Sequence, residues 1–172
     1  PRQPDTNDLY SFEDQITRNI KLKLNYQYPP ETRDLILGVI MPRELGDESA
    51  LADQLYLSEQ DLRPLVAQGF EIGSHGHAHE VMARMDSEGQ KYQVNQSIQI
   101  LTGVLGHKPK TFAYPFGLPA TYDDESRSAV AQAGMTASVN SALGSMLSSG
   151  PPADLMDLAR FDVLEVFGGD GQ

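Results

Sequence analysis

Ser58-Glu59-Gln60-Asp61-Leu62-Arg63-Pro64-Leu65-Val66-Ala67-Gln68-Gly69-Phe70-Glu71-Ile72-Gly73-Ser74 decides the fold. Ser58 followed three residues later by Asp61 is a helix-start pair. Leu62, Leu65 and Val66 then recur on one side of a 3.6-residue turn, and Gly69 supplies a helix stop. Phe70 to Ser74 reads as a strand. The same order returns twice. Val94, Ile98, Leu101 and Leu105 mark one helical face that closes at Gly106 ahead of a strand over Thr111 to Tyr114. A third stretch, Asp124 to Ala133, stops at Gly134 and leads into Met135 to Val139. Helix, glycine, strand in repetition predicts parallel strands joined by crossover helices, hence an α/β sheet or barrel. Leu35 to Met41, unbroken and apolar, is expected to be a further strand buried on both faces. Phe161 to Val166 is expected to be another. Ile16, Ile20 and Leu24 predict a helix running into Ile20–Tyr28, although the alternation over Ile20–Tyr28 also fits a strand. Ser141 to Pro152 reads as loop and Gly168 to Gln172 as a frayed end.

The 172 residues suit one domain spanning 1–172. With 40% hydrophobic and 22% charged residues the chain is globular rather than disordered. Its net charge of −11 repels a polyphosphate backbone or an anionic membrane surface, so nucleic acid is not an expected partner. The Leu35–Met41 run falls far short of the roughly 20 residues a membrane span needs. Opening on Pro1 rather than Met, the chain reads as an excised or processed segment. The absence of cysteine excludes disulfide scaffolds, thiolate zinc sites and cysteine nucleophiles, so any metal must be held by His, Asp or Glu.

Three of the four histidines fall in Gly73-Ser74-His75-Gly76-His77-Ala78-His79-Glu80, just past the end of a predicted parallel strand, where ligands collect in α/β folds. His75 and His79, four apart, can face one ion from a single turn, whereas His77 points elsewhere. A third ligand must be a carboxylate, and the best placed is in Ser11-Phe12-Glu13-Asp14. Two adjacent acids can divide the labour, one on the metal and one taking a proton. The same two acids equally fit the cap of the helix that follows. His107 falls in a helix-to-strand connection and reads as a solvated surface residue.

Over roughly Ser11 to Val163 the chain resembles the polysaccharide deacetylases of the NodB-homology type, carbohydrate esterase family 4. The resemblance is carried by Leu57 through His79, by Thr111-Phe112-Ala113-Tyr114-Pro115-Phe116-Gly117 in the form seen in the poly-N-acetylglucosamine deacetylase branch, and more weakly by Arg160-Phe161-Asp162-Val163. It implies a distorted or incomplete (β/α) barrel and one divalent ion, zinc first, with cobalt, nickel or manganese as alternatives. It also implies hydrolysis of N-acetyl groups from an N-acetylglucosamine-containing polysaccharide in the periplasm, at the cell surface or after secretion. Position by position, Asp14, His75 and His79 match the metal ligands and Glu13 the catalytic base. The N–H of Phe116 matches an oxyanion donor, Tyr114 and Pro115 match groove residues, and Arg160 is a candidate to orient the base.

The departures are specific. The family's first motif reads Thr-Phe-Asp-Asp-Gly where this chain has Ser11-Phe12-Glu13-Asp14-Gln15. The family's acidic histidine near the C-terminus also has no counterpart, since no histidine follows His107. Two other readings therefore stand beside the hydrolase: a module of the same fold that binds glycan without turnover, and an amidase of the same fold acting on a small substrate.

Overall fold

Helix starts and stops are where local chemistry most visibly sets the architecture. The computed structural model of the chain describes Tyr10, residues 13–141 and residues 154–160. In chain order it contains α1 (Gln15–Leu22), a π-helical turn (Lys23–Gln27), α2 (Pro30–Leu45), α3 (Glu48–Leu55) and α4 (Glu59–Ala67). These are followed by α5 (Ser87–Leu105), β1 (Thr111–Ala113), α6 (Asp124–Gln132) and β2 (Ala137–Val139). Ser58 caps α4 as expected, its N–H donating to Asp61 Oδ2 at 2.8 Å. Asp86 opens α5 by accepting from Gly89 N–H at 2.8 Å, and Gly106 closes it in the left-handed conformation that glycine adopts without a Cβ penalty. Asp123 and Ser126 cap α6 reciprocally.

The helices connect parallel strands. β1 pairs with β2 in register Thr111–Ala137, Phe112–Ser138, Ala113–Val139. Ser74 bridges Phe112 on one flank and Leu158 bridges Val139 on the other, both parallel. Four chain segments thus lie side by side, with α5 and α6 as crossovers. Among the described residues this is an open parallel sheet; the expected barrel is not closed by them, and the segment Phe70–Ser74 enters the ladder only at its last residue.

The core forms where α5 and α6 meet the sheet. Met82, Val94, Phe112, Tyr114 and Val130 are completely or almost completely buried there, with Ile98, Ala129 and Met135. Burying side chains of this size stabilises by about 1.5–3 kcal/mol each. A second cluster joins Leu22, Tyr26 and Val81, with Tyr10 and Phe116 against it. The buried polar groups are paired among the described residues: Ser126 Oγ reaches Gln90 Oε1 at 2.6 Å, and Tyr122 Oη donates to Asp157 Oδ1 at 2.6 Å.

One element differs from expectation. Leu35 to Met41 is not a strand but the middle of α2, and Leu35 and Val39 are 71% and 67% exposed. A short apolar run does not by itself distinguish strand from helix. Here Pro30 at the first helical position and Glu31 in the first turn start a 16-residue helix that carries the run through. Helix is confirmed for the region leading into Ile20–Tyr28, its last part as the π turn. The strand expected at Phe161–Val166, the end at Gly168–Gln172 and most of the loop Ser141–Pro152 lie outside the described residues. No helix among the described residues is long and apolar enough to cross a membrane.

Gly117 marks a close approach between two segments. Its φ is +65°, and a Cβ there would sit 2.7 Å from the backbone nitrogen of Ser141, the same N–H that donates to Gly117 O at 2.8 Å. Gly117→Ala should lose about 1–3 kcal/mol for the left-handed backbone alone, with the clash in addition. The expected outcome is a lower urea midpoint at unchanged m-value.

Candidate metal centre

The histidine segment is built outward from the sheet. Ser74 N–H donates to Thr111 O at 2.9 Å and Ala113 N–H to Ser74 O at 2.8 Å, which fixes the chain just before His75. His75 then lies beside β1, its Nδ1 2.7 Å from the Ala113 carbonyl. A carbonyl only accepts, so Nδ1 carries a proton and Nε2 is the lone-pair nitrogen of the neutral ring, the arrangement in which a metal-ligating imidazole is oriented by a backbone oxygen. The ring of His79 stands edge-on to that of His75, centroids 4.9 Å apart. Burial first, then the neighbouring His75, hold the His79 imidazole below its ordinary pKa, which keeps it neutral and able to donate a lone pair at neutral pH. His77 turns away, its ring edge-on to Tyr92 at 5.7 Å.

Backbone strain concentrates here. His79 has φ +51° and Phe116 φ +62°, two non-glycine residues in the left-handed region, and their rings meet at 4.7 Å. Phe116 packs in turn on Tyr26 at 5.2 Å, tying the pair to the second core cluster. Glu80, next in sequence, is engaged elsewhere: Arg33 of α2 donates to its Oε1 at 2.7 Å. That carboxylate, with Asp34, keeps the guanidinium firmly protonated.

The carboxylates proposed as partners of the pair are placed differently. Asp14 is the N-cap of α1, accepting from Ile16 N–H at 2.9 Å, from Thr17 N–H at 3.1 Å and from the Thr17 hydroxyl. Those bonds, the hydroxyl first, hold its carboxyl below the usual range. Glu13 forms an ion pair with Lys21 one helix face along. Among the described residues no three His, Asp or Glu side chains converge as a metal-holding group. The two imidazoles therefore fit a divalent ion in donor chemistry, His75 in tautomer as well, whereas Asp14, folded as a cap, does not complete the set.

The expected groove residues also shift role. Tyr114 and Pro115 are fully buried rather than surface-lining. Tyr114 stacks on Tyr122 at 4.2 Å and its hydroxyl donates to Met156 O at 2.7 Å, so a residue read as a platform serves the core. Arg160 donates to Ser141 Oγ at 2.9 Å rather than reaching Glu13. His107 is exposed, on the wall of an open cavity of about 440 Å³ shared with Val66, Phe70, Lys108 and Lys110 at the other end of these strands. The sequence reading missed Gln93 and Ser97, polar residues among the buried positions of α5; both bond to the histidine segment.

A family model described as polysaccharide deacetylase matches residues 41–138, more than half of the chain. The chain belongs to the polysaccharide deacetylase family. The match contains the His75–His79 pair and the Thr111–Gly117 segment, and it begins after Glu13 and Asp14. No curated protein sequence matches the chain. Among solved structures, a polysaccharide deacetylase from Bacillus cereus is 21% identical with a TM-score of 0.52, covering 60% of this chain and 31% of that one. The Streptococcus pyogenes deacetylase PplD in complex with acetate is 20% identical, also with a TM-score of 0.52, over 60% of this chain and 43% of that one. This chain thus spans less than half the length of either structure, and the likeness is one of fold.

Cap and ligand make opposite demands on Asp14. Asparagine caps a helix as well as aspartate does, so Asp14→Asn should leave thermal stability and helicity near wild type, while Asp14→Ala lowers both. Because the folded carboxyl titrates below its unfolded value of about 3.9, its contribution is present above that pH and fades only as the pH falls through the lower, folded value. Acid-unfolding profiles of wild type and Asp14→Asn check this.

Proposed function

We propose that this domain hydrolyses N-acetyl groups from an N-acetylglucosamine-containing polysaccharide, using one divalent ion held by His75 and His79. Zinc is the first candidate, with cobalt, nickel and manganese also compatible with imidazole donors. The observation that carries the reading is the His75–His79 pair at the end of a parallel segment, with Nε2 of His75 left free by its bond to Ala113. Bound there, such an ion would polarise an amide carbonyl and acidify water. The chain's own part is to keep the His79 imidazole neutral, to fix the tautomer of His75, and to hold Phe116 beside His79, where the family resemblance assigns an oxyanion-donating N–H. In this reading Asp14 joins the ion only by leaving the α1 cap, and Glu13 acts as base only by parting from Lys21. By the same family resemblance, the proposed site of action is the periplasm, the cell surface or outside the cell.

The engagement of Asp14 and Glu13 favours one second reading, a module that binds the glycan without turnover. Acetate release separates the two. Metal-stripped protein incubated with N-acetylglucosamine oligomers should release acetate only when zinc or cobalt is restored. His75→Ala or His79→Ala should each abolish both the bound ion and the release, with His77→Ala retaining most of the ion. Oligomer binding without acetate, at one ion per chain, selects the second reading. Equal loss of metal in all three histidine variants overturns the ligand assignment.

A further inference from the structure

Between the two imidazoles the chain passes through Gly76-His77-Ala78, bounded by two residues in the left-handed region: Gly76 at φ +81° and His79 at φ +51°. A segment of this shape presents successive N–H groups to one side and needs an acceptor there. That acceptor is Gln93 of α5. Its Oε1 takes the N–H of His77 at 3.1 Å and of Ala78 at 2.8 Å, while only 7% of the residue is exposed. An amide oxygen has two lone pairs, and both are used. One turn further along the same face, Ser97 Oγ donates to Val94 O at 2.9 Å and therefore accepts from Ser74 Oγ at 2.7 Å. Thus α5 grips the histidine segment at its root through Ser97 and at its midpoint through Gln93.

We propose that Gln93 is a positioning residue for the imidazole pair, its side-chain carbonyl setting the loop conformation that brings His79 against His75. The inference rests on the pair holding a divalent ion. The bonds Gln93 makes to this segment are to its backbone N–H groups, so it acts through the backbone. Replacing it by an apolar side chain takes away the acceptor of two part-buried N–H groups and releases the segment to conformations in which His79 escapes its left-handed geometry. Changes to groups that orient metal ligands typically weaken metal binding by about 10–100-fold, and that range is the expected effect.

The test uses Gln93→Met, which keeps an unbranched chain of similar length without the amide, and Gln93→Glu, which restores an acceptor. Two readouts are followed on the full chain: hydrogen exchange at the His77 and Ala78 amides without metal, and cobalt affinity with the visible spectrum of the bound ion. Gln93→Met should exchange faster at those two amides, bind cobalt about 10–100-fold more weakly and shift the spectrum, while Gln93→Glu recovers all three. Should Gln93→Met not fold, Gln93→Asn, one methylene short of the loop, serves the same purpose. Wild-type cobalt affinity in the variants, alongside faster exchange, overturns the positioning role and leaves Gln93 a structural bond. A wild-type chain that binds no cobalt overturns the metal reading itself, and the inference with it.

Discussion

The candidate centre depends on one parallel pairing: Ser74 laid against β1 by the bonds to Thr111 O and from Ala113 N–H. Because the ladder fixes which residue follows the last paired one, it delivers His75 next to the Ala113 carbonyl, and that carbonyl sets its tautomer. The crossing helix α5 then fastens the following loop, and β1 continues into Tyr114 and Phe116, whose rings anchor one and abut the other of the two structural neighbourhoods around the pair. The placement of the imidazole pair is thus imposed by backbone geometry more than by local flexibility of a histidine-rich loop.

How much of this could be read beforehand follows from the range of the interactions involved. Features governed by neighbours in sequence were legible: the Ser58–Asp61 helix start and the glycine ending α5 at Gly106. Features governed by distant partners were not. Asp14 has two readings in the sequence, cap and ligand; its neighbours Ile16 and Thr17 make the cap, whereas the ligand role depends on the distant His75 and His79. Tyr114 in its Thr111–Gly117 motif gives no sign that Tyr122 will stack on it or that Met156, 42 residues on, will take its hydroxyl. Leu35 to Met41 misled for a related reason: unbroken hydrophobicity reports burial in a strand only when something covers both faces, and α2 has no buried residue.

Gln93 and Ser97 had a weak signal. Polar residues one helical turn apart, interleaved with Val94 and Ile98, sit where an amphipathic helix should be apolar. Such positions are tolerated only when something across the interface needs a hydrogen bond, and here the polar backbone of the histidine loop needs two.

The left-handed backbone at His79 carries a further consequence. A glycine there would relieve the steric conflict between Cβ and the backbone, so the fold alone would be better served by the one residue that has no imidazole. Stability and chemistry therefore pull this single position in opposite directions, and a library selected only for thermal robustness should drift away from histidine precisely where the site would lose its donor.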